Sequence, residues 1–429
     1  MHHGGTALPN TDRLAPLQLR RIRGHLALDL HCFHPMTRTH PFLTCDLFCT
    51  VVDNFGDIGV CWRLARQLVQ EHGCVVRLWV DDLAAFRRLC PEIDVRQQHQ
   101  TVAGVDILHW NRDAAALPTH WTPGDVVIEA FACDLPSGVL DAMAGQRRPL
   151  VWLNLEYLSA EPWVREHHAM ASPHPRLPLV RHFFFPGFEP GTGGLLHETG
   201  LEQQQHDFET GTAGRRRLWH QLGIAAPPAE ACLVSLFAYA NSALPALLEQ
   251  WRLSPQPVVC LVPEGLAATQ IGQLLGTAVP SLGAAQRPGW QYGNLTVLPI
   301  PFVRQERYDE LLWACDVNFV RGEDSFVRAQ WARKPFVWQI YPQAEDAHLV
   351  KLEAFLARYT SLLPTREAEV VRATWRAWND SVHHPALDWP AFHATLAAQR
   401  SAATAWAARL MALGDLAANL VEFCENRLK

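Results

Sequence analysis

The sequence has no CxxC pair and no HExxH, so the redox and zinc chemistries that use those spacings have no ligand set to build on. It has no GxGxxG, no Walker-type phosphate loop and no DxD. Nicotinamide enzymes, P-loop kinases and sugar transferases that hold a metal through DxD all lose ground. No apolar run approaches the ~20 residues of a membrane-spanning helix. A basic excess is missing too: the net charge is −6, where a nucleic-acid binder would show a basic stripe. These absences imply no metal, no membrane and no nucleic acid.

What is present is the composition of a globular enzyme, 48% hydrophobic and 19% charged, with 16 Trp to fill cores or line pockets. The 11 Cys are scattered, and Cys45, Cys49 and Cys260 lie in apolar runs, which suggests buried thiols in a reducing cytoplasm. At 429 residues the chain is too long for one ordinary core. Residues 1–40 carry Gly, Pro, Thr, His and a basic cluster at Arg20, Arg21 and Arg23 without lasting periodicity. They are expected to be a disordered leader or an over-extended start, with the natural domain beginning at Met36, just before the first strand.

From Leu43 the chain alternates β-rich runs with helical patterns. Strands are expected at 47–52, 75–80, 105–110, 125–131, 150–155 and 180–185. Asp57 to Gln70 reads as an amphipathic helix, with Ile58, Cys61, Ala65, Leu68 and Val69 on one face. A Gly-, Pro- and Gln-rich stretch follows, and the alternation then restarts. Strands are expected at 232–237, 258–262, 295–299, 316–320 and 335–341, with helices at 243–251, 266–275, 305–314, 325–333 and 346–358. After about 363 the pattern is helical. Near-continuous apolar strands separated by helices imply α/β architecture, with parallel sheets covered on both faces. The expected layout is an N-terminal Rossmann-like domain over 41–198 and an interdomain region over 199–228. A C-terminal Rossmann-like domain over 229–405 follows, and a last helix, about 411–429, packs back on the first domain. Two doubly wound domains place a ligand between them at the carboxyl ends of the strands. GT-B glycosyltransferases, some epimerases and periplasmic binding proteins share this layout.

Two motifs sit at such strand ends. "VVDNFGDIG" places Asp53 and Asp57 around Gly56 where a strand gives way to a helix. One such Asp is ordinary as a turn or cap residue; two are not. "VNFVRGEDSFVRAQWA" places Arg321 and Gly322 in the turn and Glu323, Asp324 and Ser325 at the next helix start. Free N–H groups there, with a guanidinium beside them and Gly322 allowing close approach, suit a diphosphate. The blander reading is a capped helix with Arg321 paired to Glu323. Phe237, Tyr239, Phe302, Gln305 and Tyr308 stand near the ends of other strands, where rings can sandwich a nucleobase and Gln can read its edge. "QIYPQAEDAHL" offers Gln343, Glu345 and Asp346 for sugar hydroxyls, or merely a helix start. "FFFPGFEPGTGGLL" either shapes a cleft wall or bends the chain.

The segments "FCTVVDNFGDIGVCWRLARQL", "FFFPGFEPGTGGLL", "LLWACDVNFVRGEDSFVRAQWA" and "IYPQAEDAH" together resemble the EarP family, the protein-arginine rhamnosyltransferases of elongation factor P. The likeness runs from about residue 43 to the C-terminus. It implies an inverting, metal-independent GT-B transferase with no cofactor, moving L-rhamnose from dTDP-β-L-rhamnose to an arginine of elongation factor P in the cytoplasm. It further implies a donor site in the C-terminal domain and an acceptor surface mainly in the N-terminal one. By this resemblance Asp53, Asp57 and Glu323 match the catalytic carboxylates. Phe237, Tyr239, Phe302, Gln305, Arg321, Asp324 and Ser325 match the nucleotide-binding set, with Gly322 in its turn. The alternative is a GT-B transferase or epimerase acting on another nucleotide sugar. A non-catalytic binder of elongation factor P or of a nucleotide is a further possibility from a different class.

Overall fold

Strand β1 (Thr44–Cys49) starts and ends three residues before the expected run 47–52, and both shifts have a physical cause. Asp46 interrupts the apolar pattern, yet it is fully buried because its carboxylate accepts from Arg77 (2.6 Å), Trp79 Nε1 (2.9 Å) and the Gly124 amide (2.8 Å). Beyond Cys49 the backbone amides turn to side chains instead of a neighbouring strand. Val51 N donates to Asp81 Oδ1 (2.9 Å), and Val52 and Asp53 N donate to Asp57 Oδ2 (2.7 and 2.8 Å). This computed structural model describes residues 43–53, 55–111, 121–276 and 289–429. The expected leader, 1–40, lies outside the described residues.

The first sheet continues with β2 (Val75–Val80), β3 (His99–Val102), β4 (Val105–His109), β5 (Val126–Ala130), β6 (Val151–Leu155), β7 (Ala171–Pro173) and β8 (Val180–Phe184). Its order is β3-β4-β2-β1-β5-β6-β8-β7. The six inner strands are parallel, and β3 and β7 add antiparallel edges that their short, polar sequences did not announce. The second sheet is built from β9 (Cys232–Leu236), β10 (Val258–Pro263), β11 (Trp290–Tyr292), β12 (Leu295–Ile300), β13 (Val317–Arg321) and β14 (Phe336–Gln339), ordered β11-β12-β10-β9-β13-β14. Both are doubly wound. In each, the first strand lies between its successor on one side and a later strand on the other, β1 between β2 and β5, β9 between β10 and β13. Loops leaving such a switch point diverge and open a crevice.

Residues 199–228, read as interdomain, fold largely as two helices, Leu201–Thr210 and Thr212–Leu222. Leu201, Phe208, Leu218, Trp219 and Leu222 bury themselves in the core of the second sheet. The last helix, Leu416–Leu428, returns to the first sheet and packs Leu416, Leu420, Val421 and Cys424 into its core. Much of the tryptophan serves packing: six, Trp62, Trp251, Trp375, Trp378, Trp389 and Trp406, are fully buried. The ten cysteines among the described residues are all buried.

A buried charge network ties the halves together. Arg63, on the helix Gly56–Gln70, bonds Glu198 (2.8 Å) and Asp324 (2.9 Å). Arg328, on the helix Asp324–Trp331, bonds the other oxygen of Glu198 (2.5 Å) and both oxygens of Asp309 (2.7 and 2.8 Å). Both guanidiniums are at most 2% exposed. Removing one partner from such a set leaves a buried charge unpaired and costs roughly 3–5 kcal/mol. The helix behind the first motif and the helix behind the second are thereby held face to face.

Candidate active site

The two sequence motifs meet across the crevice. Gly322 (φ +60°) makes the turn after β13, and a Cβ there would lie 2.6 Å from Asp53 Oδ2. The position needs glycine for its left-handed backbone and for that approach. Its carbonyl accepts from Trp338 Nε1 (2.7 Å) and its amide donates to Gln339 O (3.1 Å), which pins the turn to β14. The helix Asp324–Trp331 begins without a side-chain cap. Asp324 is turned to Arg63 and Gln305, and Ser325 Oγ bonds back to Arg321 N and O (3.0 and 2.5 Å). Arg321 makes no ion pair with Glu323. Its guanidinium lies 4.5 Å from the ring centres of both Phe237 and Tyr239 and 5.8 Å from that of Phe55. The capped-helix reading with an Arg321–Glu323 pair therefore fails.

Two cavities flank this junction. The first, about 560 Å³, is lined by Phe237, Tyr239, Phe302, Gln305, Tyr308, Arg321, Asp324 and Ser325, with Asp53, Phe55 and Gly56 from the other half. It collects seven of the eight residues assigned to the nucleotide by resemblance. Gln305, Asp324 and Ser325 have their polar atoms already engaged, and Tyr239 gives its hydroxyl to Asp53. Gln305 Nε2 donates to Gly59 O (2.7 Å) and Asp324 (3.1 Å), and its Oε1 accepts from Arg66 (3.2 Å). The second cavity, about 1020 Å³, is lined by Asp53, Asp57, Gly322 and Glu323, with Tyr157, Trp338, Tyr341, Gln343 and Lys351. Asp53 and Gly56 line both.

The three carboxylates differ in their surroundings. Asp53 Oδ2 accepts from the Tyr239 hydroxyl (2.6 Å), while Oδ1 takes no hydrogen bond among the described residues. Burial raises its pKa, against the pull of Tyr239 and Arg321. Asp57 is 2% exposed, and Tyr157 OH donates to its Oδ1 (3.1 Å). Burial raises its pKa as well, against that hydroxyl and the amides of Asp53 and Val52. Glu323 accepts from Leu158 N (3.1 Å), and burial pushes its pKa up to about 8. Arg321, by contrast, is disfavoured as a cation by its own burial, with only Tyr239, Asp53 and Tyr308 opposing. A buried guanidinium with no ion pair among the described residues, next to carboxylates that burial makes proton-hungry, is an arrangement short of an anion on one side and of a cation on the other. No group of three or more His, Cys, Asp or Glu among the described residues is placed to share a metal ion.

Two doubly wound sheets, with an uncapped strand-turn-helix start beside Arg321 in one half and paired carboxylates in the other, fit the GT-B type of glycosyltransferase. Residues 45–425 match the family model of the elongation factor P (EF-P) rhamnosyltransferase EarP. The chain is 47% identical to a protein-arginine rhamnosyltransferase of Pseudomonas putida over 391 residues, 90% of this chain and 99% of that one. It is 46% identical to that of Pseudomonas aeruginosa over 381 residues, 88% and 98% of the two chains. Its structure matches one described as the structural basis for EarP-mediated arginine glycosylation of translation elongation factor EF-P, with TM-score 0.63 and 35% identity over 90% of this chain and 99% of that one. The chain belongs to the EarP family and is a protein-arginine rhamnosyltransferase. Family membership decides against the epimerase, against a transferase of another sugar and against a non-catalytic binder.

Sequence reasoning missed several residues that line the two cavities. Tyr157 follows β6 at the same carboxyl edge, and its position after a buried strand was the available signal. Phe55 sits inside the first motif, overshadowed by its two aspartates. Lys351 and Trp338 carry no local signal; only the folding of β14 and the helix Ala347–Tyr359 brings them to the cavity. Glu345 and Asp346, weighed as sugar ligands, are exposed and line neither cavity, whereas Gln343 lines the second.

Proposed function

We propose that the enzyme transfers L-rhamnose from dTDP-β-L-rhamnose to an arginine side chain of elongation factor P in the cytoplasm, with inversion and without a metal. The observation that carries this is the pair of cavities meeting at Asp53, one aromatic and cationic, the other acidic. The thymine fits the first cavity against Phe237 and Phe302. The diphosphate fits beside Arg321 and the uncapped amides that follow Gly322. The sugar then projects into the second cavity, where Trp338 and Tyr341 offer apolar walls and Gln343 a polar one.

An arginine guanidinium is delocalised and holds its proton to a pKa above roughly 12, so it is a poor nucleophile. Carboxylates on both sides orient it and localise its electrons. Asp53, whose Oδ1 takes no hydrogen bond among the described residues, holds one edge. Asp57 lines the acidic cavity away from Arg321, and its raised proton affinity suits it to accept a proton as the bond forms. A guanidinium nitrogen attacks the anomeric carbon, the carbon–oxygen bond breaks, and the electron pair leaves on the β-phosphate. Arg321 stabilises that charge in place of a metal. Glu323, mostly protonated at neutral pH when alone, ionises more readily as the cationic acceptor arrives.

The test is the intact mass of elongation factor P after incubation with enzyme and dTDP-β-L-rhamnose. One added deoxyhexose, lost when the acceptor arginine is replaced by lysine, supports the proposal. Equal transfer from an unrelated nucleotide sugar, or none to elongation factor P, refutes it.

A further inference from the structure

The turn that carries Asp53 and Asp57 also sends a ring into the other cavity. Phe55 belongs to the first half of the molecule, yet its ring lies 5.0 Å from that of Phe302, which comes from the second half. Phe302 is in turn 6.3 Å from Phe237, and the Arg321 guanidinium is within 6 Å of Phe55, Phe237 and Tyr239 alike. Phe55 is thus a further aromatic wall of the donor cavity, supplied from the acceptor side. It is partly buried and packs against the edge of the first sheet's core as well as against Phe302.

The turn around it is short and internally bonded. Gly56 N donates to Asp53 O (2.6 Å), and Asp57 Oδ2 accepts from the amides of Val52 and Asp53. A displacement of Phe55 moves a unit that contains both carboxylates. One further tie crosses the crevice from this turn, the hydrogen bond from Tyr239 OH to Asp53. Tyr239 itself lines the donor cavity.

We propose that Phe55 is a positioning residue through which an occupied donor site sets the carboxylates for the acceptor. The inference rests on the nucleotide lying in the first cavity. A base packed against Phe55 restrains the ring, the ring restrains the turn, and the turn presents Asp53 and Asp57 to the incoming guanidinium. Donor and acceptor then bind with positive coupling, which by linkage is the same in either direction. Loss of one aromatic contact is worth about a 2- to 10-fold change in affinity.

The experiment measures dTDP affinity by calorimetry, and elongation factor P affinity with and without saturating dTDP, for the full chain and three variants. Wild type is expected to bind elongation factor P more tightly when dTDP is present. Phe55→Leu keeps bulk but loses the ring. It should weaken dTDP about 2- to 10-fold, bring the ratio of acceptor affinities toward one, and lower kcat at saturating substrates. Phe237→Leu, from the donor half, should weaken dTDP comparably but keep the coupling ratio. Phe55→Tyr should retain both. A purely structural role for Phe55 would lower the melting temperature without separating Phe55→Leu from Phe237→Leu. Wild-type coupling in Phe55→Leu, or no coupling in wild type, overturns the inference while leaving the donor site intact. Failure of wild type to bind dTDP at all sinks the donor reading itself and this inference with it.

Discussion

Replacing Asp57 by Asn separates its chemistry from its architecture. The carboxylate has two jobs in the structure: Oδ2 staples the amides of Val52 and Asp53, and Oδ1 meets the Tyr157 hydroxyl. An Asn side chain can turn its oxygen to the two amides and its NH₂ to the tyrosine oxygen, so the turn survives. The staple loses its charge, which weakens two charge-assisted bonds by roughly 1 kcal/mol each. The buried site also sheds a charge that burial disfavours, so the two effects offset and the melting temperature should move little. What Asn cannot do is take a proton. A positioned base is worth about 10²–10⁴ in rate, or roughly 3–5 kcal/mol of barrier. Rhamnosylation of elongation factor P under saturating substrates should therefore fall by that factor. The affinity for dTDP should stay within about threefold of wild type, or ~0.7 kcal/mol, because none of the cavity around Arg321 is touched. Turnover near wild type would refute the assignment of Asp57 as base. Loss of dTDP binding would mean that the turn has collapsed and that the residue acts through structure.

Other outcomes follow from the same geometry. Arg321→Ala should weaken dTDP by about 1.5–3 kcal/mol, a charged hydrogen bond's worth, read by calorimetry; unchanged affinity would displace the diphosphate from the β13 turn. Activity should survive EDTA, because the proposed mechanism has Arg321 carry the leaving-group charge; loss restored by Mg²⁺ or Mn²⁺ would contradict this. Burial raises the Glu323 pKa from 4.5 to about 8, so the folded state binds that proton more tightly than the unfolded chain. Stability from this group is fully present below about pH 4.5 and is lost as pH rises toward 8. Glu323→Gln should accordingly melt higher than wild type at pH 8, with the difference shrinking below pH 5; a constant difference across that range would show that Glu323 is not held protonated.

The strands and helices that build both sheets were readable because each half alternates long apolar runs with periodic helices. β2, expected at 75–80, is Val75–Val80. Where reading failed, side chains had replaced the backbone pattern. Asp46 lies inside β1, ahead of the expected start at 47, and its partners Arg77, Trp79 and Gly124 are 31, 33 and 78 residues away. The polar stretch after 198 looked like a linker because its buried positions, Leu201, Gln205 and Phe208, are few and spaced among exposed Gln and Glu. The convergence of the two motifs on one candidate site was legible, because their acidic and basic residues are dense and local. The division into two cavities was not, because it depends on Phe55 crossing into the donor side and on Asp324 and Gln305 turning toward Arg63 and Gly59. No local pattern records which way a side chain faces once two distant halves have closed.

In the proposed mechanism the leaving diphosphate and the attacking guanidinium sit on opposite sides of the anomeric carbon, one cavity each. Proton and carbon NMR of the rhamnosyl-arginine isolated from modified elongation factor P tests it directly. A single displacement from the β-linked donor gives the α-L-rhamnosyl guanidinium, and that is the expected anomer. A β-linked product would require a covalent sugar intermediate or attack from the diphosphate side, and would contradict the two-cavity account.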